Sequence, residues 1–390
     1  MAGTQTTATA VAEKPVGAER WKRVLSTLGS LQGYVGLALV LILGISTKGG
    51  IFLSQSNITN AVGAFASRGI LAVGETLVIL AAGIDLSVGS MLGLSSMVAA
   101  MLLVQADLPP VLILPVCVVA GAVMGFCNGA GSTWLRIQPF VMTLATLSVF
   151  RGLDRQISNN VSVGTQIVGP TGKLSAHSDQ FQLFGTPGHN LFSGILGAGV
   201  YYPVLAFVIT CVVFQLILSK TTFGRHIYAV GGNETAARLS GINVNRVKIA
   251  VFTICGLLAG FAGPIDAAYS ASADPLAGGG YELDVIAAVV IGGAALAGGR
   301  GSIIGTFVGV LILTLLDNVL GLNAVSDNLQ LIIKGLIVVV AVVLQRPDLI
   351  TSFAGFIRRT FGRGGGDLAT AAVSTAAPGP SGGKNTGRKS

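Results

Sequence analysis

Long apolar runs recur along the chain, separated by short polar or glycine-rich breaks. Ten of them approach the roughly 20 residues that a helix needs to cross a bilayer: 31–50, 58–82, 86–105, 109–130, 138–153, 199–219, 247–270, 283–298, 302–322 and 328–345. The pattern predicts an all-α membrane protein of about ten transmembrane helices. Where the second run turns into the third, either Asp85 simply caps the third span or the helix is broken, which Gly83 and Gly89 would permit.

Composition agrees. Hydrophobic residues make up 52% of the 390, charged residues only 10%, and the mean hydropathy is +0.76, whereas a soluble domain carries about 25% charged residues. The 55 glycines suit close helix approach in a membrane. The net charge of +8 raises nucleic acid as a partner, but the basic residues are scattered at loop ends and tails. With the N-terminus in the cytoplasm and ten alternating spans, 18 of the 24 Lys and Arg face the cytoplasm. Four face outward (Lys48, Arg151, Arg155 and Lys173), and Arg68 and Lys334 lie inside spans. That bias predicts both termini inside and no nucleic-acid partner.

Cys117, Cys127, Cys211 and Cys255 all fall in apolar runs and read as small buried hydrophobes rather than disulfides or metal ligands. No cleavable signal peptide is expected. A basic, disordered N-terminal tail over 1–30, a permease domain over 31–346 and a basic, mostly disordered C-terminal tail over 347–390 complete the predicted organisation. Segment 154–198, the longest predicted outside, reads either as a docking surface or as a linker. A short echo, GSMLG at 89–93 and GSIIG at 301–305, opens two outward-running spans.

One stretch stands apart. GGNETAARLSGINVNRVK, Gly231 to Lys248, is polar and basic between apolar runs. Asn233 is placed to cap a short helix over Glu234–Ser240, Glu234 suits its first turn, and Gly241 suits a left-handed stop. Asn243 or Asn245 then caps the next span. Ala236, Ala237 and Leu239 give the short helix an apolar face, and Arg238 gives it a charged one. Such a helix either pushes on a partner or anchors a loop at the membrane surface.

Polar groups inside spans are costly unless they face protein or water. Glu75, Asp85, Ser87, Asn128 and Thr143 are the candidate pathway residues, with Thr146 beside them. Asp85 reads equally as a helix cap, and Asn128 and Thr143 as helix–helix ties. Glu282 and Asp284 read as caps or entrance residues. His177, His189 and His226 have no metal-ligand spacing, so no metal or cofactor is expected. No G-x-x-x-x-G-K-[ST] occurs, so no phosphate-cradling loop is present to use ATP.

Several long stretches together resemble ribose-type ABC transporter permeases: VGETLVILAAGIDLSVGSMLGL (73–94), IQPFVMTLATLSVFRGL (137–153), FGRHIYAVGGNETAARLSGINVNRVKIAVFTICGLL (223–258) and YELDVIAAVVIGGAALAGGRGSIIGTFVG (281–309). The resemblance covers about Ser46 to Arg346. It implies a fold like that of the vitamin B12 importer, with about ten helices per subunit. It implies a channel of two permease subunits, identical or different, in the bacterial cytoplasmic (inner) membrane. Two domains of an ATP-binding subunit would grip the loop within 220–248, through Gly232, Asn233, Glu234, Arg238 and Gly241. A sugar-binding protein would dock outside and deliver a pentose or hexose. Asp317-Asn318 departs from the Asn-Asn-Gly that many such permeases carry, and is given no pathway role. Two other readings compete: an ion- or proton-coupled transporter using Glu75 and Asp85, and a permease of the same fold for another small polar solute.

Overall fold

A computed structural model describes residues 16–166, 174–185 and 202–344. The elements are α1 (Val16–Phe52), α2 (Gln55–Leu80), α3 (Val88–Val104), α4 (Pro110–Trp134), α5 (Pro139–Ser158), β1 (Val163–Gly164), α6 (Ser178–Gln182), α7 (Tyr202–Lys220), α8 (Thr222–Gly232), α9 (Glu234–Leu239), α10 (Val244–Tyr269), β2 (Ser272–Ala273), α11 (Tyr281–Ile291), α12 (Ile303–Leu322) and α13 (Asp327–Leu344). Each predicted apolar run holds one helix. Among the described residues, six helices are long and apolar enough to cross a membrane unaided. The described residues up to Ala341 belong to one compact unit; of the second, which begins at Val342, only the last turn of α13 is described.

α2 is the central helix, and Ile70 to Val73 and Leu77 to Leu80 are all fully buried. Phe65 stacks edge-on against Phe207 of α7 and Phe307 of α12. α4 and α10 approach most closely, because small residues face each other there. A Cβ added at Gly121, Gly125, Gly256 or Gly260 would overlap the opposite backbone, so glycine is required for the approach. The outward faces of α4, α7 and α13 are rows of exposed Val, Leu and Ile, as lipid-facing helices require.

Three sequence expectations need correction. α1 begins at Val16, so the predicted tail over 1–30 is helical from there; no Pro and only scattered Gly interrupt that stretch. The predicted span 283–298 is a half-length helix, α11, that stops at Ile291. Gly293, Gly298, Gly299 and Gly301 all have positive φ, which no helix continues. The loop folds back instead, and Gly299 N–H donates to Leu80 O at 3.0 Å. Finally, segment 154–198 is not plain linker over its described residues. β1 pairs antiparallel with β2, and α6 seats Phe181, fully buried, against Met97, Leu103, Ile113 and Ala268. The rest of that segment, His189 included, lies outside the described residues, as does the tail over 347–390.

Two helices start inside the bundle. α2 ends with Gly83 N–H donating to Val78 O at 2.9 Å, after Ala82 in the left-handed region at φ 59°. The chain then climbs back until Asp85 N–H reaches Glu75 Oε1 at 3.1 Å. Five residues of helix separate Glu75 from the end of α2, a rise of roughly 7 Å. α3 therefore begins well inside, with Gly89 against Gly278 so tightly that a Cβ on either would collide. Gly278 to Gly280 lead into α11, whose 11 residues span only about 16 Å. The two helices start near one another and run toward opposite ends of the bundle.

Candidate functional site

The structure separates the polar residues of the membrane helices into two clusters. The first gathers all five predicted pathway residues. Asp85 Oδ1 accepts from Ser87 N at 2.9 Å and from Ser87 Oγ at 2.6 Å. Asn128 Nδ2 donates to Asp85 Oδ2 at 3.2 Å and to Ser87 Oγ at 2.8 Å. Thr146 Oγ1 donates to Asn128 Oδ1 at 2.7 Å, and Thr143 Oγ1 to Ile84 O at 3.2 Å. Glu75 closes the set through its bond to Asp85 N. Glu75, Asp85, Ser87, Asn128 and Thr143 have no exposed surface. The knot ties α2, the start of α3, α4 and α5 together. In this conformation it is enclosed, so the capping and helix-tying readings describe its geometry.

The second cluster lines an open cleft of about 600 Å³ between α2, α11, α12 and α13. Arg68 Nη1 lies 2.9 Å from Asp317 Oδ2 and 3.9 Å from Asp284 Oδ2. Lys334 Nζ lies 3.0 Å from Asp317 Oδ2 and 3.1 Å from Asp284 Oδ2. Two cations and two carboxylates thus alternate around one square. The Arg68 guanidinium also sits 4.6 Å from the centre of the Tyr281 ring, a cation–π contact. Asn60, Thr314, Asn318 and Gln330 add hydrogen-bonding groups along the walls. Asn318 and Asn57 exchange side-chain hydrogen bonds at 2.8 and 2.9 Å, joining α12 to α2.

Sequence reasoning left this cluster unassigned. Arg68 and Lys334 stood out only as charges inside spans, Asp284 read as a cap or an entrance residue, and Asp317 received no role. The usable signal was that two intramembrane cations need two intramembrane anions. Charge balance pointed to the members but not to their meeting. That meeting depends on α11 being a half-helix whose first turn, with Asp284, opens at the depth of Arg68.

At the opposite end of the bundle the predicted short helix is present as α9. Asn233 Oδ1 accepts from Ala236 N at 2.9 Å, and Gly241 follows at φ 84°. Of the two asparagines offered as the next cap, Asn243 serves, accepting from Arg246 N at 3.1 Å. Glu234 pairs with Lys248 at 2.6 Å and with Arg238 at 3.2 Å; these cations hold its carboxyl below the usual range, the bond from Lys248 first. Ala237 is buried, whereas Leu239 is 85% exposed beside the exposed Arg238. The glycine that packing demands is Gly231 rather than Gly232. A Cβ at Gly231 would strike Leu80 O and Gly299, while Gly232 faces open space. α8, α9, the end of α2 and the loop after α11 therefore form one block, which Tyr228 Oη reinforces by donating to Gly301 O at 2.9 Å.

Among the described residues no group of three His, Cys, Asp or Glu is placed to hold a metal. A polar cleft inside apolar helices, with a braced helix at the other end, is the outline of a transport component. The comparisons with known proteins decide the family. A family model described as the permease component of branched-chain amino acid transport systems matches residues 57–342. The chain belongs to this permease family. It is 42% identical over 307 residues to the ribose import permease protein RbsC of Escherichia coli K12, covering 79% of this chain and 91% of that one. The ribose import permease protein of Bacillus subtilis 168 is also 42% identical, over 314 residues, or 80% of this chain and 91% of that one. The xylose transport system permease protein XylH of E. coli K12 is 37% identical over 358 residues, again 80% and 91%. No solved structure matches.

Proposed function

We propose that this permease is the membrane-spanning subunit of an ATP-driven importer for a monosaccharide, a pentose or hexose. The observation that carries the reading is 37–42% identity to ribose and xylose permeases across about four-fifths of the chain. Ten spans, a fold like the vitamin B12 importer, and both termini in the cytoplasm fit the ten helix-bearing runs and the basic bias. ATP hydrolysis belongs to a separate ATP-binding subunit with two ATPase domains, which presses on α9 through Arg238 and Leu239. The β1–β2 and α6 cap faces outward, toward an extracytoplasmic sugar-binding protein. A second permease subunit completes the channel.

Within the subunit, the sugar passes the Arg68–Asp284–Asp317–Lys334 cleft rather than the Glu75–Asp85–Asn128 knot. A sugar offers donors and acceptors in equal measure. Carboxylates accept from its hydroxyls, and Arg68, Lys334, Asn318 and Gln330 donate to them. A square of balanced charge can open toward a neutral polyol without stranding a net charge in the membrane.

The test is uptake of labelled ribose and xylose into proteoliposomes holding this protein, an ATP-binding subunit and a sugar-binding protein. Uptake should require ATP and all three. Arg238→Glu and Gly241→Val should insert normally and lose substrate-stimulated ATP hydrolysis. Uptake driven by an ion or proton gradient without the ATPase would overturn the reading. Full transport in both variants would reduce α9 to a surface anchor.

A further inference from the structure

A second polar cavity, of about 350 Å³, lies at the α9 end of the bundle. Its walls come from Ser132 and Thr133 at the end of α4, Arg136 in the α4–α5 turn, Arg238 of α9 and Lys248 of α10, with Glu234 between the last two. Three cations face one carboxylate. Glu234 is already engaged by Arg238 and Lys248, so it holds those two side chains in place. Arg136 has no hydrogen bond or ion pair among the described residues, and its backbone sits in the left-handed region at φ 56°. The cavity thus keeps an excess of two positive charges with one guanidinium free.

A second, independent feature adjoins it. Trp134 and Leu135, immediately before Arg136, are 64% and 69% exposed. Trp134 is braced edge-on by Phe126 at 5.7 Å. From there an exposed apolar row runs back along α4 through Phe126, Val123, Val119 and Val116, spaced three and four residues apart on one helix face. An exposed Trp at the end of a lipid-facing helix marks the headgroup level of a bilayer. A basic cavity whose α4 wall, Ser132 and Thr133, directly precedes this exposed Trp and continues the helix that carries the apolar row matches a molecule with an anionic head and an acyl tail.

We propose that this cavity binds the phosphate headgroup of an anionic phospholipid, gripped by Arg136, Arg238 and Lys248, with an acyl chain lying along Phe126, Val123 and Val119. Arg136 presents a planar fork suited to phosphate oxygens; the Ser132 and Thr133 hydroxyls beside it are already given to Gly129 O, so the cations carry the grip. The bound lipid joins the α4–α5 turn to α9. It thereby fixes the helix that faces the cytoplasmic partner against the body of the permease. Lipid binding itself needs only the membrane location and holds whichever solute is carried; the bracing of α9 against a partner rests on the proposed function.

The experiment is native mass spectrometry of the full-length protein released from nanodiscs of mixed phosphatidylglycerol and phosphatidylcholine. Wild type should retain phosphatidylglycerol over phosphatidylcholine by about tenfold, a difference near 1.4 kcal/mol. Arg136→Gln and Arg238→Gln should each cut that preference about threefold or more. Both side chains sit at the surface, so the variants should fold. An undiminished preference in Arg136→Gln and Arg238→Gln would overturn the proposal. So would displacement of the bound lipid by millimolar inorganic phosphate alone, which would mark a site for free oxyanion. Loss of phosphatidylglycerol from the assembled importer, with retention by the isolated permease, would assign the cavity to the partner subunit and equally overturn it.

Discussion

The two polar clusters inside the bundle solve the same problem in opposite ways. The Glu75–Asp85–Asn128 knot contains two carboxylates and no cation, and it is sealed from solvent. Its groups are held by bonds to backbone N–H, hydroxyl and amide donors: Ser87 and the Asp85 N–H supply the local ones at the turn between α2 and α3, and Asn128 reaches in from α4. The Arg68–Asp284–Asp317–Lys334 square contains two ions of each sign and is open, with side-chain exposures of 14–25%. Three of its members come from the consecutive helices α11, α12 and α13, and Arg68 joins them from α2, 249 residues before Asp317. In this conformation the sealed cluster ties four helices together, and the proposed function gives the passing sugar to the open, charge-balanced square instead.

The comparison is broken or sharpened by four measurements, the largest expected effect first. Asp317→Lys places three cations around one carboxylate. Like charges brought together cost several kcal/mol, and sugar uptake should fall by more than about 100-fold, while Asp317→Asn should retain more activity than Asp317→Lys. Equal loss in both would show that shape rather than charge matters at that position.

Asn128→Leu is the matching test of the knot. It removes the amide that donates to Asp85 and Ser87 and accepts from Thr146, leaving buried groups unpaired at about 1–3 kcal/mol. Thermal unfolding in detergent should shift down, and uptake per folded molecule should stay near wild type. A stable Asn128→Leu protein that cannot transport would return the knot to the pathway.

Accessibility separates the clusters directly. In a background with Cys117, Cys127, Cys211 and Cys255 replaced, a cysteine at Asn318 should react with small polar thiol reagents at least about tenfold faster than one at Ser87 or Thr146, since only solvated thiolates react. Comparable rates would remove the distinction between open and sealed.

The smallest effect is expected outside the membrane, in the β1–β2 and α6 cap. Asp107 accepts from Ser175 Oγ at 2.6 Å and Ala176 N at 3.1 Å, and Asp274 accepts from Leu276 N and Ser162 Oγ, both at 2.7 Å. These bonds hold both carboxyls below their ordinary value, the Ser175 bond first for Asp107 and the Leu276 bond first for Asp274. Depressed carboxyls stabilise the folded cap above their unfolded pKa of about 3.9 and lose that contribution as pH falls through the folded values. Hydrogen exchange over 174–182 should therefore be constant from about pH 7 to 5, corrected for intrinsic rates, and rise only below about pH 4. A rise centred near neutrality would assign the cap to other groups.

Much of this protein was legible along the chain. A run of about 20 apolar residues states its own need for lipid or for other helices, so the helical membrane architecture and the place of every long helix followed from hydropathy. Local chemistry was equally readable: Asn233 caps three residues ahead, and Gly241 takes the left-handed stop, because both effects act within one turn of backbone. The five residues of the knot were named as polar groups inside apolar runs; only the Asp85–Ser87 contact is local, and the meeting of Asn128 and Thr143 with that turn spans 41 to 59 residues.

What the sequence by itself determined, then, was everything set by interactions a few residues long, together with the family, carried by long local motifs. Only the tertiary structure decided where α11 ends, that α3 and α11 begin inside the bundle, that Gly231 rather than Gly232 is squeezed between Leu80 and Gly299, and that Arg68, Asp284, Asp317 and Lys334 share one cleft. Positive-φ glycines after Ile291 halve a run that hydropathy alone reads as a full span. The charge square closes over 249 residues between Arg68 and Asp317. Coulombic pairing depends on distance in space, which helix packing sets and spacing along the chain does not express.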